Sequence, residues 1–235
     1  MPDENPDVAG WDIWLYSKPA NDVGGDLVDF ISIDKKRFGI VLGDVAGKGL
    51  GAALFMAKLQ STLRALVFNF KLLTKLAESM NNIFYRDTIP NSFSSMFYIE
   101  ISPGSGNIKY INAGHIPPLV IKQNKISALQ KGDQALGLAP DVSYHEQSLE
   151  MMESEYLLVY SDGLSEAMNA NGFFFGDERI IQNIEKWDNP ESGQAGQFLL
   201  DDIERFAGDV PQTDDLSMVI LKKVGSRQKS IGNRR

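Results

Sequence analysis

The chain has 235 residues, of which 43% are hydrophobic and 23% charged, a composition that suits one sizeable globular domain or two small ones. It contains no cysteine, which excludes a disulfide framework, zinc–thiolate sites and a cysteine nucleophile. The formal net charge is −8, and removing the six basic groups of the last fourteen residues leaves −14 for residues 1–221. So acidic a body disfavours nucleic acid as the main partner.

The ends of the chain carry little structural signal. No apolar run approaches the roughly 20 residues needed to span a bilayer, and the acidic start lacks the apolar core of a signal peptide. We therefore expect a cytoplasmic protein without a membrane span, forming one domain of a longer protein. We expect a short lead at 1–10, the folded domain at 11–222 and a flexible basic tail at 223–235, with contact to an acidic partner or nucleic acid as the alternative for the tail.

The hydrophobic pattern predicts a regular order of elements. Strands are predicted at 11–17, 27–33 and 38–42, and a glycine-rich segment at 43–49 precedes helices at 50–68 and 72–85. Further strands are predicted at 93–101, 107–111, 117–121, 126–129, 145–149 and 156–160. Three helices follow: a short one that starts at 165, one that starts near 176 and one at 194–206. The last strand is predicted at 216–222. Because hairpin connections dominate, we predict an α+β domain with two mainly antiparallel sheets, each covered by helices.

Aspartates stand where several of these apolar strands meet turns. They are Asp26, Asp44, Asp162, Asp214 and Asp215. A fold that gathers these strand ends would create a carboxylate cluster, which repels itself unless cations neutralise it, and hard oxygen ligands favour Mg²⁺ or Mn²⁺. Metal-assisted hydrolysis is therefore the leading hypothesis. The alternatives are ordinary turn aspartates and, for Asp44, a cap on the following helix.

Two other residues are candidates for the same site. Lys48 follows the glycine-rich segment and could attract an anionic substrate at the helix N-terminus, or be a solvated loop lysine. The segment is not a nucleotide-binding P-loop, because three residues instead of four separate Gly43 from Gly47-Lys48 and no Ser or Thr follows. His115 lies in a tight turn and is expected to stabilise it, with a metal or acid–base role as the alternative.

Five motifs occur in an order that resembles the SpoIIE-type phosphatases, the bacterial branch of the metal-dependent protein serine/threonine phosphatases (PPM, protein phosphatase 2C-like). They are VGGDLVD at 23–29, GDVAGKG at 43–49, NAGHIPP at 112–118, YSDGLSEA at 160–167 and TDDLS at 213–217. The resemblance spans about residues 11–221, which is nearly the whole chain.

The resemblance implies an αββα sandwich with two Mg²⁺ or Mn²⁺ ions at one edge. Asp44 would bridge both ions, the Val45 carbonyl and, through water, Asp26 would serve one of them, and Asp162 and Asp214 would serve the other. It also implies direct attack of a dimetal-bound hydroxide on phosphoserine or phosphothreonine, with Asp44 and Asp162 essential for catalysis. The substrate-phosphate arginine and the proton-donating histidine of eukaryotic relatives have no evident counterpart here.

The resemblance further implies a phosphoprotein substrate, with a STAS-type anti-sigma factor antagonist as the leading candidate. It implies an upstream regulatory domain outside this chain, and a homodimer is compatible with it. Two alternatives stay open at this stage. One is a non-catalytic module of the same fold that binds a phosphoprotein or another partner, and the other is a protein in which divalent cations are purely structural.

Overall fold

The computed structural model describes residues 4–87, 93–123 and 125–225; the segment 226–235, which includes most of the expected basic tail, lies outside them. The strands in this described part are β1 (Trp11–Lys18), β2 (Leu27–Ser32), β3 (Phe38–Val45), β4 (Ser94–Ile101), β5 (Asn107–Ala113), β6 (Leu119–Lys122), β7 (Lys125–Ala128), β8 (Gln147–Glu150), β9 (Tyr156–Tyr160) and β10 (Leu216–Lys223). The helices are α1 (Leu50–Leu66), α2 (Leu73–Asp87), α3 (Asp162–Ser165), α4 (Gly176–Ile184) and α5 (Ser192–Ala207), and a 3₁₀ turn (Val67–Asn69) follows α1.

The strands form two five-stranded antiparallel sheets, as predicted. The first has the order β1-β10-β9-β6-β7 and the second has the order β2-β3-β4-β5-β8. Because β1 pairs along its whole length with β10, the first and last strands of the fold lie side by side. Strand β10 also pairs with β9, so the end of β9 before Asp162 and the start of β10 after Asp215 are neighbours in this sheet. In the other sheet β2 and β3 are neighbours.

Three apolar layers hold the sandwich together. The central layer lies between the sheets and includes Leu42, Phe97, Val159 and Val219. A second layer packs α1 and α2 against the β2–β8 sheet, and a third packs α4 and α5 against the sheet that contains β9 and β10. The three apolar layers separate four layers of secondary structure, namely helices, sheet, sheet and helices. This order follows from the sequence, because each helix block is apolar on the face that meets its sheet.

Two elements near the predicted site differ from the expected boundaries. Strand β3 does not end at residue 42 but continues to Val45, so that Asp44 lies inside the strand and pairs with Ser95. The short helix expected from residue 165 instead begins at Asp162, with Ser161 at its N-cap position. Serine and aspartate are typical of helix starts, so the signal for this earlier boundary was present in the sequence. None of the helices in the described ranges is long and apolar enough to cross a membrane.

Candidate functional site

The predicted aspartates come from both sheets and meet at one edge of the sandwich. Asp26 directly precedes β2 and Asp44 is the second-last residue of β3, while Asp162 begins α3 immediately after β9 and Asp214 lies just before β10. The segments that carry Asp44 and Asp214 line one small cavity together with Gly25. The alternative that Asp44 caps α1 is wrong, because Gly49 is the N-cap residue and no side chain caps this helix.

The carboxylates interact electrostatically. Burial raises the pKa of Asp44 to about 6, and the charges of Asp162, Asp214 and Asp215 add to the shift. Burial likewise raises the pKa of Asp26 to about 8, with Asp44 and Asp215 contributing and the Ser217 hydroxyl opposing the shift. The pKa of Asp162 is also raised, first by burial and then by Asp214. These carboxylates are therefore close enough to destabilise one another's charged forms.

The donors suit a hard divalent cation. Oδ2 of Asp26 is a buried oxygen without a hydrogen-bond partner among the described residues, and leaving such an oxygen unpaired is costly unless a ligand satisfies it. Within those residues, no three His, Cys, Asp or Glu side chains are arranged as a ready-made metal site. Repulsion among the carboxylates favours a bound counter-charge, so the donor chemistry fits the predicted ions.

Asp215 shapes the loop that carries Asp26, a role that the sequence did not reveal. Its Oδ1 accepts a hydrogen bond from the Ala20 N–H at 2.8 Å, and its Oδ2 accepts from the N–H groups of Gly25 at 2.6 Å and Asp26 at 3.3 Å. Gly24 passes so close to this carboxylate that a Cβ there would collide with it. Both oxygens of Asp215 are thus used in backbone hydrogen bonds that position the loop carrying Asp26.

Serine hydrogen bonds tie the ends of β9 and β10 together. The N–H of Ser161 donates to the Ser217 carbonyl at 2.9 Å. The Ser161 hydroxyl donates to the Asp215 carbonyl at 3.1 Å and accepts from the Ser217 N–H at 2.9 Å. A Cβ on Gly163 would overlap the Asp215 carbonyl, so glycine is required there. This network fixes the backbone on which Asp162 and Asp214 stand.

Lys48 reaches across the site. Its Nζ lies 3.1 Å from Oδ2 of Asp214 and donates a hydrogen bond to the Thr213 carbonyl at 3.0 Å. The side chain is 62% exposed, so the ion pair is solvated and contributes little stability. The ammonium group thus joins the loop after β3 to the loop before β10, and its predicted role in binding substrate stays a prediction.

His115 forms hydrogen bonds to both sheets next to the site. It is buried, and since a carbonyl only accepts hydrogen bonds, Nε2 donates to the Tyr160 carbonyl at 3.0 Å and Nδ1 accepts from the Ser95 hydroxyl at 3.0 Å. Its N–H also donates to Oδ1 of Asn112, which is the turn contact expected from the sequence. Both ring nitrogens are engaged, which leaves neither for a metal ion.

The position of His115 links it to the carboxylates. Ser95 pairs with Asp44 across β3 and β4, and Tyr160 is two residues before Asp162. A single neutral imidazole therefore links β4, which pairs with the Asp44-bearing strand, to the end of β9, two residues before Asp162. The sequence NAGH predicted the turn contact between Asn112 and His115, but it did not predict the hydrogen bond from His115 to Tyr160, 45 residues further along the chain.

Comparison of the sequence with known proteins identifies the family of this chain. The profile of the family described as Stage II sporulation protein E (SpoIIE) matches residues 34–224. The chain is 28% identical over 253 residues to protein IcfG of Synechocystis sp. and 24% identical over 220 residues to the phosphoserine phosphatase RsbU of Bacillus subtilis. It covers 39% of the length of IcfG and 65% of the length of RsbU, and 94% and 93% of this chain are aligned in the two cases.

Solved structures share the fold. The SiaA-PP2C domain of Pseudomonas aeruginosa superposes with a TM-score of 0.79 at 15% identity, over 90% of this chain and 85% of that one. The catalytic domain of the serine threonine protein phosphatase PstP, solved in complex with two manganese ions, superposes with a TM-score of 0.67 at 15% identity, over 91% of this chain and 98% of that one. Together with the profile match over most of its length, these results establish that the chain belongs to the SpoIIE family and has the protein phosphatase 2C-like fold.

Proposed function

We propose that this chain is a metal-dependent protein-serine/threonine phosphatase. The observation that carries the proposal is the meeting of four carboxylates from two sheets at one edge, with the pKa values of Asp26, Asp44 and Asp162 raised by burial and by one another. Similarity to the phosphoserine phosphatase RsbU supports the reaction, and the two manganese ions in the PstP structure support the divalent cofactor.

The proposed ligands are those implied by the motifs. Asp44 would bridge two ions, Asp26 and the Val45 carbonyl would complete the first site, and Asp162 and Asp214 would complete the second. The ions would be Mn²⁺ or Mg²⁺, because all of these donors are hard oxygens. The unpartnered Oδ2 of Asp26 is the strongest local support for this assignment.

The chain's own residues would prepare the site for phosphate chemistry. When bound, the cations would activate water and offset charge on the phosphoryl oxygens. Asp215 and the Ser161–Ser217 network hold the loops that present the carboxylates, so that little reorganisation is needed. Lys48, which already pairs with a site aspartate, could exchange that contact for a substrate phosphate oxygen.

The proposed substrate is phosphoserine or phosphothreonine on a regulatory protein, with a STAS-type anti-sigma factor antagonist as the first choice. The likeness to the phosphoserine phosphatase RsbU supports a phosphoserine substrate, and the net charge of −8 disfavours nucleic acid. The chain spans 39% of the length of IcfG and 65% of the length of RsbU. The proposal also includes three expectations from the sequence: a regulatory domain upstream of this chain, action in the cytoplasm and a homodimer.

The decisive experiment compares four proteins in Mn²⁺ with a phosphoserine peptide and an aryl phosphate. They are the unchanged chain, Asp44→Asn, Asp162→Asn and the control Asp201→Asn, whose carboxylate bonds only to Gln197 on the surface of α5. We expect turnover by the unchanged chain and the control, and at least a hundredfold loss in each site variant, in line with the loss of a major electrostatic contributor.

Folding is checked in the same proteins without metal. Because Asp44 is a partly buried carboxylate among like charges, replacing it with neutral asparagine should leave the melting temperature in chelator unchanged or raise it. Full activity in Asp44→Asn or Asp162→Asn would refute the ligand assignment. Tight, metal-independent binding of a phosphopeptide without turnover would identify the non-catalytic module instead.

A further inference from the structure

A second pocket lies at the other end of β9 from the carboxylates. It has a volume of about 600 Å³, and its apolar wall includes Ile121, Ile126, Met152, Tyr156 and Trp187. Trp187 packs edge-on against Tyr156 with ring centroids 5.4 Å apart, and Met152 is 64% exposed. Since β9 runs from Tyr156 to Tyr160 and Asp162 follows, roughly 20 Å of strand separates this pocket from the phosphatase site. We call it the β9-start pocket.

The rim of the β9-start pocket is acidic. Glu153, Glu185 and Asp188 line it, all three are exposed, and no Lys, Arg or His side chain among the described residues forms an ion pair with any of them. Aromatic rings beside carboxylates form the chemical environment that recognises lysine and arginine, whose stems pack on apolar surface while the charge is paired.

Three other charged groups near the pocket, Glu155, Lys122 and Lys222, already have partners. Glu155 is buried, lies 3.5 Å from Lys122 and accepts the Met152 N–H at 2.8 Å. The Nζ of Lys222 lies over the Tyr156 ring and donates to the carbonyls of Asn189 and Pro190. Among the described residues that line the pocket, every charged side chain is a carboxylate, whereas Lys125 and Lys186 are adjacent to lining residues in the sequence but do not line the pocket themselves. A cation that enters the pocket therefore meets carboxylates at its wall.

The chain itself leaves the last strand beside this rim. The N–H of Ser154 donates to the Lys223 carbonyl at 2.9 Å, and the N–H of Lys223 donates to the Glu155 carbonyl at 3.0 Å. A Cβ placed on Gly225 would lie 3.1 Å from Oε1 of Glu153. The next ten residues, 226–235, contain four basic residues and no acidic one. Gly225, to which they are joined, lies within contact distance of the rim, and at about 3.5 Å per extended residue ten residues are long enough to cross the pocket.

We propose that residues 226–235 bind the β9-start pocket of the same chain, with Arg227 and Lys229 paired to its rim carboxylates. Charge complementarity, the aromatic wall and the exit of the chain at Glu153 all support this occupant. Tethering favours it over a separate basic peptide, because a short linker supplies a millimolar effective concentration. The inference does not depend on phosphatase activity.

The absence of cysteine makes a direct test available in the chain of 235 residues. A nitroxide spin label on Ser230→Cys would be attached to ¹⁵N-labelled protein, and amide peak intensities would be compared before and after reduction of the label. We expect selective loss of intensity for residues 152–155 and 185–189 at low salt. We expect recovery in high salt, because exposed ion pairs are screened.

Charge reversal separates this pocket from non-specific attraction. Glu153→Lys/Asp188→Lys should abolish the broadening, and adding Arg227→Glu/Lys229→Glu should restore it with the charges exchanged. The matched control, Glu78→Lys/Asp201→Lys, makes the same change in net charge on α2 and α5 and should leave the broadening intact. Equal broadening in the pocket and control variants would overturn the proposal, as would no broadening at the pocket in the unchanged chain.

A mixed sample distinguishes binding within one chain from binding between copies. Spin-labelled chains without ¹⁵N would be mixed with ¹⁵N-labelled chains that carry no spin label. We expect no broadening of the pocket amides in this mixture. Broadening equal to that in the singly labelled sample would show that a second copy supplies the basic segment and would overturn binding in the same chain.

Discussion

At the residue scale, His115 shows how a buried polar group can organise a site without touching its reactive atoms. Burial lowers its pKa to about 4, and the hydrogen bond to the Tyr160 carbonyl opposes the shift only in part. The imidazole is therefore neutral near pH 7, which allows Nε2 to donate and Nδ1 to accept at the same time. Protonation would turn Nδ1 into a donor and break the pattern that spans Ser95 and Tyr160.

This shift makes stability depend on pH in a defined direction. The ordinary pKa of 6.5 applies to the unfolded chain and about 4 to the folded one, so between these values the unfolded state binds more protons. His115 therefore destabilises the fold as pH falls from 6.5 towards 4, by up to about 1.4 kcal/mol per pH unit. His115→Gln cannot titrate and should show a weaker loss of stability over this range.

The measurement is urea unfolding of both proteins at pH 7 and pH 4.5 in chelator. Comparing the two proteins cancels contributions that do not involve His115, such as that of Asp44, whose pKa is about 6. Identical pH dependence in the unchanged chain and in His115→Gln would contradict the assignment.

At the scale of elements, one buried carboxylate docks α1 on the sheet that carries Asp44. Asp29 of β2 is buried and accepts hydrogen bonds from Arg64 Nε at 2.7 Å, Arg64 Nη2 at 2.6 Å and Gln60 Nε2 at 3.0 Å. Arg64 and Gln60 are four residues apart and so share one face of the helix. Since α1 begins just after the loop that contains Lys48, this ion pair sets the helix position relative to the site.

Removing the arginine should therefore be costly. Arg64→Met keeps most of the apolar stem but leaves the Asp29 charge with only Gln60 as a side-chain donor, and we expect a loss of roughly 2–4 kcal/mol in unfolding free energy, because unpaired buried charges are strongly destabilising. Adding Asp29→Asn should recover most of that loss. The control is Arg86→Met, since Arg86 is exposed and pairs only with its neighbour Asp87, and it should cause no measurable change. A similar effect of both single substitutions in urea unfolding would contradict this account.

At the scale of the whole molecule, the proposed ligands belong to different sheets. Asp26 and Asp44 come from the β2–β3 side, whereas Asp162 and Asp214 come from the β9–β10 side. An ion held by both sets would cross-link the sandwich, and a ligand that binds only the folded state stabilises it by mass action.

Manganese should therefore raise the melting temperature of the unchanged chain. At a hundredfold excess over the dissociation constant the gain is about 2.7 kcal/mol, which corresponds to roughly 5–10 °C for a domain of this size. The rise should reverse with chelator, disappear in Asp44→Asn and persist in Asp201→Asn. An equal rise in Asp44→Asn would place the bound metal elsewhere.

Local signals predicted much of the fold and of the candidate site. The apolar runs before Asp44 and Asp162 predicted strands that end at the site, because strand and turn preferences act over a few residues. The two covered sheets followed from hairpin spacing. The start of α3 and the end of β3 were misplaced by about three residues, because pairing with β4 extends β3 and Ser161 takes the N-cap position of α3.

The sequence by itself determined the SpoIIE-type motifs, the oxygen chemistry of the candidate ligands and the alternation of strands and helices. Only the tertiary structure revealed that Asp215 holds the Asp26 loop, that Lys48 pairs with Asp214, that His115 joins two sheets and that the chain leaves β10 beside an acidic pocket. The physical reason is that these contacts join residues from 20 to 195 positions apart. Their formation depends on how the strands are ordered within each sheet and how the sheets pack, which local preferences do not specify.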